Sequence, residues 1–287
     1  MTTPYFYSDI EDGGLQTVRN MLEQYAVDNQ VSIYMTKYPK TDLSVSKENH
    51  ENCFMVMIPQ HKIILGGYGV VNDTFDAYCD EVIENISYLY SKYEYRSILG
   101  RFSPWSKGLI HKDKDCASSL LGSVEGFLQK NKVSNKKEKK NIELLITLCI
   151  GSINDIERVK DDVPETLLDQ VKQKIQSFDG DQTRFIYETL ASKKVVRIQG
   201  LAGTGKTELL LHKLKELYQN KEDYKIFMTC HNKILADSLR SRIPEFFEFM
   251  RVTRQIEWHK RLWCEHAWGS MADIHSGLYR FICDYMV

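Results

Sequence analysis

The residues with the plainest chemistry are Gly200, Gly203, Gly205, Lys206 and Thr207, in the stretch IQGLAGTGKTE. They satisfy G-x-x-x-x-G-K-[ST], with the apolar run Val195-Val196-Arg197-Ile198 directly in front. A triphosphate is a dense anion, so its site needs main-chain N–H groups that converge with no side chains between them, a helix N-terminus and one cation. Gly200, Gly203, Thr204 and Gly205 supply the backbone, Lys206 the ammonium for the β- and γ-phosphates, and Thr207 a hydroxyl for Mg2+. The pattern predicts a site for a nucleoside triphosphate with magnesium.

Such a loop must be held by a strand before it and a helix after it. Residues 195–198 are the expected strand, and residues 208–217, ELLLHKLKEL, carry leucines at 209, 210, 211, 214 and 217, a stripe suited to packing on a sheet. KIFMTC, residues 225–230, reads as the following strand, which would complete a βαβ crossover. The expected fold class is α/β, a P-loop NTPase (RecA-like) parallel sheet, incomplete at the C-terminus, preceded by a separate mixed α/β domain.

The segment FDGDQTRFIYETLASKKVVRIQGLAGTGKTELLLHKLKELY resembles the opening of superfamily 1 DNA helicases of the UvrD/RecD-like type. In that family a short motif ending in glutamine precedes the phosphate loop and reads adenine. Phe178-Asp179-Gly180-Asp181-Gln182 matches it, 18 residues before Gly200, so the resemblance implies ATP as nucleotide and an adenine contact by Gln182. The stretch around His231, Asn232 and Lys233 resembles motif Ia, which implies contact with the backbone of single-stranded or duplex DNA. A polar turn after a strand, leading into a helix N-terminus, suits a phosphate, although Asn232 also suits simple capping of a helix over 233–242. Ala272-Asp273-Ile274-His275-Ser276 loosely matches a further DNA-path element, and Trp258, Trp263 and Trp268 lie among Arg251, Arg254, Lys260 and Arg261. Their five-residue spacing shares no helical face, so at least two are expected in the core. The resemblance covers residues 178–287 and also implies, by analogy alone, DNA processing or antiphage defence.

Other constellations are thinner. Helicases hold magnesium on an apolar strand ending in Asp-Glu; nothing after Thr207 has that form, and Asp80-Glu81 falls in an expected helix. Hydrolysis by this chain alone is therefore expected to be poor, and the ending FICDYMV leads us to expect the front part of a longer protein. Gln60-His61-Lys62, with Asp42 or Glu51 upstream, is a weak match to a two-metal nuclease core, since Pro59 interrupts the strand where ligands should project. His111-Lys112-Asp113 lacks the spacing of a phospholipase D signature. Cys230-His231 and Cys264-Glu265-His266 have no C-x-x-C or H-x3-5-H companions, so zinc is not expected.

The 287 residues, 43% hydrophobic and 27% charged, suffice for about two globular domains. We expect a mixed α/β domain over 1–122 that is regulatory, protein-binding or a degenerate nuclease, a lysine-rich linker over 123–141, a helical connector over 142–178 with a helix starting near Pro164, and the P-loop domain over 179–287. Within the first, a helix over 14–27, strands over 31–35, 53–58 and 63–65, and a helix over 74–95 follow from periodicity. Gly66, Gly67 and Gly69 read as a tight connection. The linker segment QKNKVSNKKEKKN holds six lysines and no aromatic, which suits a solvated tether better than a nucleic-acid patch. Net charge is −1, divided as 17 basic against 13 acidic residues from 181 onward and 21 against 26 before, so only the P-loop segment leans toward a phosphate-rich partner. No signal segment or long apolar stretch is present and seven scattered cysteines form no disulfide pattern, so a cytoplasmic protein with no membrane contact is expected.

Overall fold

The structure, a computed structural model, describes residues 4–11, 13–41, 50–152, 178–188, 195–269 and 276–286. It divides into two units, Met1–Phe185 and Ile186–Val287. The expected helix near Pro164, Asp42 and the stretch 272–275 lie outside the described residues.

The first unit is built on a mixed five-stranded sheet in the order β1 (Phe6–Ser8), β2 (Ile33–Thr36), β3 (Cys53–Met57), β4 (Ile63–Gly67) and β5 (Ile110–Asp113). The outer pairs, β1 with β2 and β4 with β5, are parallel, and the inner pairs are antiparallel. Each parallel pair needs a crossover. Helix α1 (Gln16–Asn29) bridges the first, burying Val18, Leu22 and Ala26, one stripe at helical spacing. Across the second run α2 (Asn72–Lys92), α3 (Arg96–Leu99) and α4 (Phe102–Leu109). Phe54, Val56, Ile33, Met35 and Ile64 share a core with α1, α5 (Cys116–Gly122) and α6 (Val124–Lys130). Cys53, Met55, Met57 and Leu65, of opposite parity, are equally buried, so both faces are covered and CFMVM reads as an unbroken apolar run.

Two expectations are corrected here. Residues 123–141 are not a linker: they form α6 and the start of α7 (Lys136–Ile150), capped by Ser123, whose Oγ accepts from Gly126 N–H at 3.1 Å, and by Asn135, whose Oδ1 accepts from Lys137 N–H at 2.9 Å. Phe127, Leu128 and Val133 are buried there while Lys130, Lys132, Lys136 and Lys137 are exposed, so the lysines are the outer face of helices that belong to the unit. Gly66 and Gly67 are strand residues rather than a connection. Added Cβ atoms would lie 2.7 Å from the Phe54 ring and 2.7 Å from Lys114 O, so glycine there lets neighbours close in.

The first unit also reaches further along the chain than expected. Phe178 is buried, its carbonyl accepts from Tyr34 OH, Gly180 N–H donates to Pro4 O at 3.0 Å and Arg184 Nη2 donates to Phe6 O at 2.8 Å. The glutamine motif is thereby docked along strands β1 and β2.

In the second unit, helix Lys206–Asn220 leads to β6 (Ile226–Cys230), helix Lys233–Phe249, β7 (Leu262–His266) and helix Leu278–Met286. β6 and β7 are parallel, from Ile226 opposite Leu262 to Cys230 opposite His266. Helix Lys233–Phe249 is their crossover and packs on β7 with Ala236, Leu239, Ile243, Phe246 and Phe247 buried. The expected strand at 195–198 is not formed: no strand is assigned there, and Val195 is 83% exposed. The βαβ unit that does form is therefore β6, its following helix and β7.

Candidate functional site

The glycine-rich loop, residues 200–207, is open to solvent over most of its length. Gly203 and Gly205 take φ of +79° and +77°, and added Cβ atoms at either position would meet nothing within 4 Å. The demand for glycine is thus conformational, since an L side chain in the left-handed region costs about 1–2 kcal/mol. Gly205 sits immediately before the first residue of helix Lys206–Asn220, turning the chain so that the helix start follows the loop without a break. The first N–H groups of that helix have no acceptor one turn earlier, and its dipole places partial positive charge there.

Inside the loop, Leu201 O is a hub. It accepts from Thr204 N–H at 3.4 Å, from Thr204 Oγ1 at 2.9 Å and from Lys206 Nζ at 2.6 Å, while Lys206 also donates to Gly200 O at 2.9 Å. A Cβ on Gly200 would lie 2.7 Å from Thr204 Oγ1, so glycine there permits this fold. Gly200, Thr204 and Lys206 are brought together, and Thr207 follows, exposed, in the first helical turn. This arrangement fits a polyphosphate: a lysine held near a bend of main chain, two left-handed glycines and a helix start.

The helix behind the loop departs from the expected leucine stripe. Leu209, Leu211 and Leu214 are buried, Leu210 is exposed, and His212 and Lys213 are buried with them. Lys213 Nζ donates to Ile186 O at 2.8 Å and Glu188 O at 3.1 Å. His212 packs edge-on against the Phe246 ring, and burial, with Lys215 adding, depresses its pKa from 6.5 to about 3, so it is neutral.

Gln182 belongs to helix Gly180–Tyr187, where it completes a reciprocal cap: Gln182 N–H donates to Asp179 Oδ1 at 2.8 Å, and Asp179 N–H donates to Gln182 Oε1 at 3.1 Å. Its carbonyl is engaged locally.

At the end of β6, Asn232 Oδ1 accepts from Leu235 N–H at 2.8 Å and caps helix Lys233–Phe249, so the simpler reading of Asn232 is realised. His231 and Lys233 beside it are exposed. The three tryptophans separate cleanly. Trp263 is buried against Phe227 and Phe281, Trp258 is half-buried beside a bridge to Leu262, and Trp268 is 66% exposed.

Sequence reasoning weighed Glu265 only as a metal ligand and missed its pairing with Arg240. Arg240 Nη2 donates to Glu265 Oε1 at 2.8 Å and to Cys264 O at 2.8 Å, and Glu265 stands opposite Thr229 in the sheet register. The available signal was the apolar triplet Leu262-Trp263-Cys264 running into an acid one residue before the strand ends at His266, although not in the form Asp-Glu. Cys230 and His266 face each other across the sheet, yet no group of three His, Cys, Asp or Glu able to hold a metal occurs among the described residues. Gln60-His61-Lys62 lies in the turn between β3 and β4, with Lys62 N–H donating to Asn131 O at 3.0 Å and Gln60 O accepting from Val133 N–H at 2.8 Å. His111, Lys112 and Asp113 are residues of β5, and Asp113 Oδ1 accepts from Asp115 N–H at 3.0 Å.

No helix among the described residues is long and apolar enough to cross a membrane. Comparison with known proteins finds no matching family model, no matching curated sequence and no matching solved structure.

Proposed function

We propose that this chain binds ATP with Mg2+ at residues 200–207 and carries the nucleotide-binding motifs of a superfamily 1 DNA helicase or translocase with a RecA-like motor domain, acting in the cytoplasm. The observation that supports this most is the pairing of Gly203 and Gly205 in the left-handed region with a helix that starts at Lys206. Lys206 would hold the β- and γ-phosphates once it exchanges the carbonyls of Gly200 and Leu201 for them. Thr207 would place its hydroxyl on Mg2+. Bound magnesium would neutralise the phosphate charge.

A second reading, a nucleotide-sensing regulatory or assembly subunit without turnover, is favoured by Glu265. This acid at the end of β7 is paired with Arg240 rather than free for magnesium. The first unit would then serve protein partners in either case. Titration of the purified chain with Mg-ATP, beside Lys206→Ala, tests the core of both. We expect measurable binding that falls at least about tenfold in the variant, the loss of about 1.4 kcal/mol or more expected for a charged contact. Equal binding by the two proteins, or none by either, refutes the nucleotide site. Steady ATP turnover by the chain alone would favour the motor over the sensor.

A further inference from the structure

We infer that Cys230 is a reactive thiol, a modification site for low-molecular-weight disulfides of the glutathione type, with the His266 imidazole as its base. The inference stands apart from the nucleotide proposal, since neither residue belongs to the loop at 200–207.

Sheet register puts the two side chains together. β6 and β7 are parallel and Cys230 lies opposite His266, so both side chains project from one face of strands about 5 Å apart. Cys264, two residues before His266, shares that face, which helix Lys233–Phe249 covers: Cys230 Sγ donates to Asn232 O at 3.3 Å and Cys264 Sγ to Ala236 O at 3.7 Å. Ala236 N–H in turn donates to Asn232 O at 3.1 Å, so both sulfurs meet the same helical turn. His266 is only 8% exposed, yet its ring makes no hydrogen bond or ion pair among the described residues. Buried polar groups are as a rule satisfied. An unsatisfied imidazole across the sheet from a thiol has an evident use, which is to take its proton.

Its surroundings set Cys230 apart from the other cysteines. Cys53, Cys79, Cys116, Cys149 and Cys264 are buried, and burial pushes the thiols of Cys79 and Cys149 up to about 12 and that of Cys264 up to about 11, which leaves them inert. Cys230 and Cys283 are half-buried, within reach of a small reagent. Cys230 stands two residues before Asn232, the cap of a 17-residue helix whose dipole favours negative charge at that end. Cys283 lies in the later half of helix Leu278–Met286, toward the end of opposite sign. The chemistry is thiol–disulfide exchange. His266 takes the Cys230 proton, the sulfur attacks one sulfur of the small disulfide, and a new S–S bond forms as the old one breaks. The departing thiolate recovers the proton from His266. A mixed disulfide at Cys230 and one small thiol result, with the disulfide as the only co-reactant.

The test uses the full chain and oxidised glutathione, with each cysteine followed over time by peptide mass spectrometry. In the unmodified chain Cys230 should acquire glutathione at least about tenfold faster than Cys283, while the five buried cysteines stay unmodified. His266→Asn should slow Cys230 about tenfold or more, the scale of a lost base, and leave Cys283 unchanged. The buried thiols report folding: should they react in His266→Asn, His266→Gln takes its place, and the ratio of Cys230 to Cys283 in the unmodified chain decides on its own. Equal rates at Cys230 and Cys283, or no modification of Cys230, overturns the assignment of a reactive thiol. An unchanged Cys230 rate in a folded His266 variant overturns the role of His266 as its base.

Discussion

Replacing Gly205 by alanine isolates the backbone requirement of the loop. Gly205 has φ 77° and ψ 17°, and its added Cβ would meet nothing within 4 Å, so no collision confuses the result. Alanine held in that conformation costs about 1–2 kcal/mol. If the loop keeps its shape, this cost appears as lost stability. If it relaxes to negative φ, the helix start at Lys206 turns away, and a nucleotide must restore the bend at its own expense. The dissociation constant for Mg-ATP then rises about 5- to 30-fold, the same 1–2 kcal/mol expressed as affinity. Asparagine tolerates the left-handed region better than alanine, so Gly205→Asn should recover part of either loss. Calorimetric titration and thermal melting of Gly205→Ala and Gly205→Asn together read both limits. A chain in which Gly205→Ala changes neither quantity, or in which alanine and asparagine behave alike, refutes the claim that a left-handed residue at 205 shapes the site.

At Gly200 the expected fault is steric instead. Gly200→Ala should weaken Mg-ATP binding through the 2.7 Å approach of Thr204 Oγ1, and Thr204→Ala in the same chain should relieve it, a coupling that a double-mutant cycle measures. His212 gives a pH dependence whose sign follows from its depressed pKa: the unfolded chain takes up the proton first, so stability is complete above about pH 6.5 and declines as pH falls toward about 3. At about pH 5 the loss is about 2 kcal/mol, checked by denaturant melts of the unmodified chain and His212→Leu, which should lack this component. Lys213→Met should destabilise the second unit by about 1–3 kcal/mol, since Ile186 O and Glu188 O lose a charged donor; an unshifted melting midpoint would refute that. Asn232→Ala should cost about 1 kcal/mol of helix capping, whereas Asn232→Asp should keep the cap. Equal melting of all three proteins would remove the capping role.

Local signals carried the sequence reading where they were self-sufficient. Leu15, Val18 and Leu22 recur at helical spacing and announce α1, and the apolar run ending at Pro59 announces β3. The glycines and lysine of the loop are legible because each residue type is demanded by its own backbone or charge. The lysine-rich stretch misled for the opposite reason: its burial depends on Phe127 and Leu128 joining the core of α1 and the sheet, which composition in a short window does not reveal. His212 and Lys213 were hidden likewise, since a polar residue inside a leucine stripe gives no sign that a ring or two carbonyls await it. Trp263 and Trp268 are alike in the sequence, and only the end of β7 between them separates a core indole from a displayed one.

The unformed strand at 195–198 bears on how much of the sheet the proposed nucleotide site needs. A strand exists only by pairing, because its main-chain donors and acceptors have no partners within itself, so Val195-Val196-Arg197-Ile198 can be apolar and β-branched without being a strand. A helix satisfies its own ladder, and the left-handed turns at 203 and 205 are set by residue type. The features that suit a phosphate therefore sit in the locally determined part of the unit. The features that depend on partners, namely the sheet neighbours of β6 and the acid at the end of β7, are those in which this chain departs from the helicase pattern. If that division holds, nucleotide affinity should track substitutions in 200–207 and be little affected by Val195→Thr or Val196→Thr, whereas any ATP turnover should respond to both.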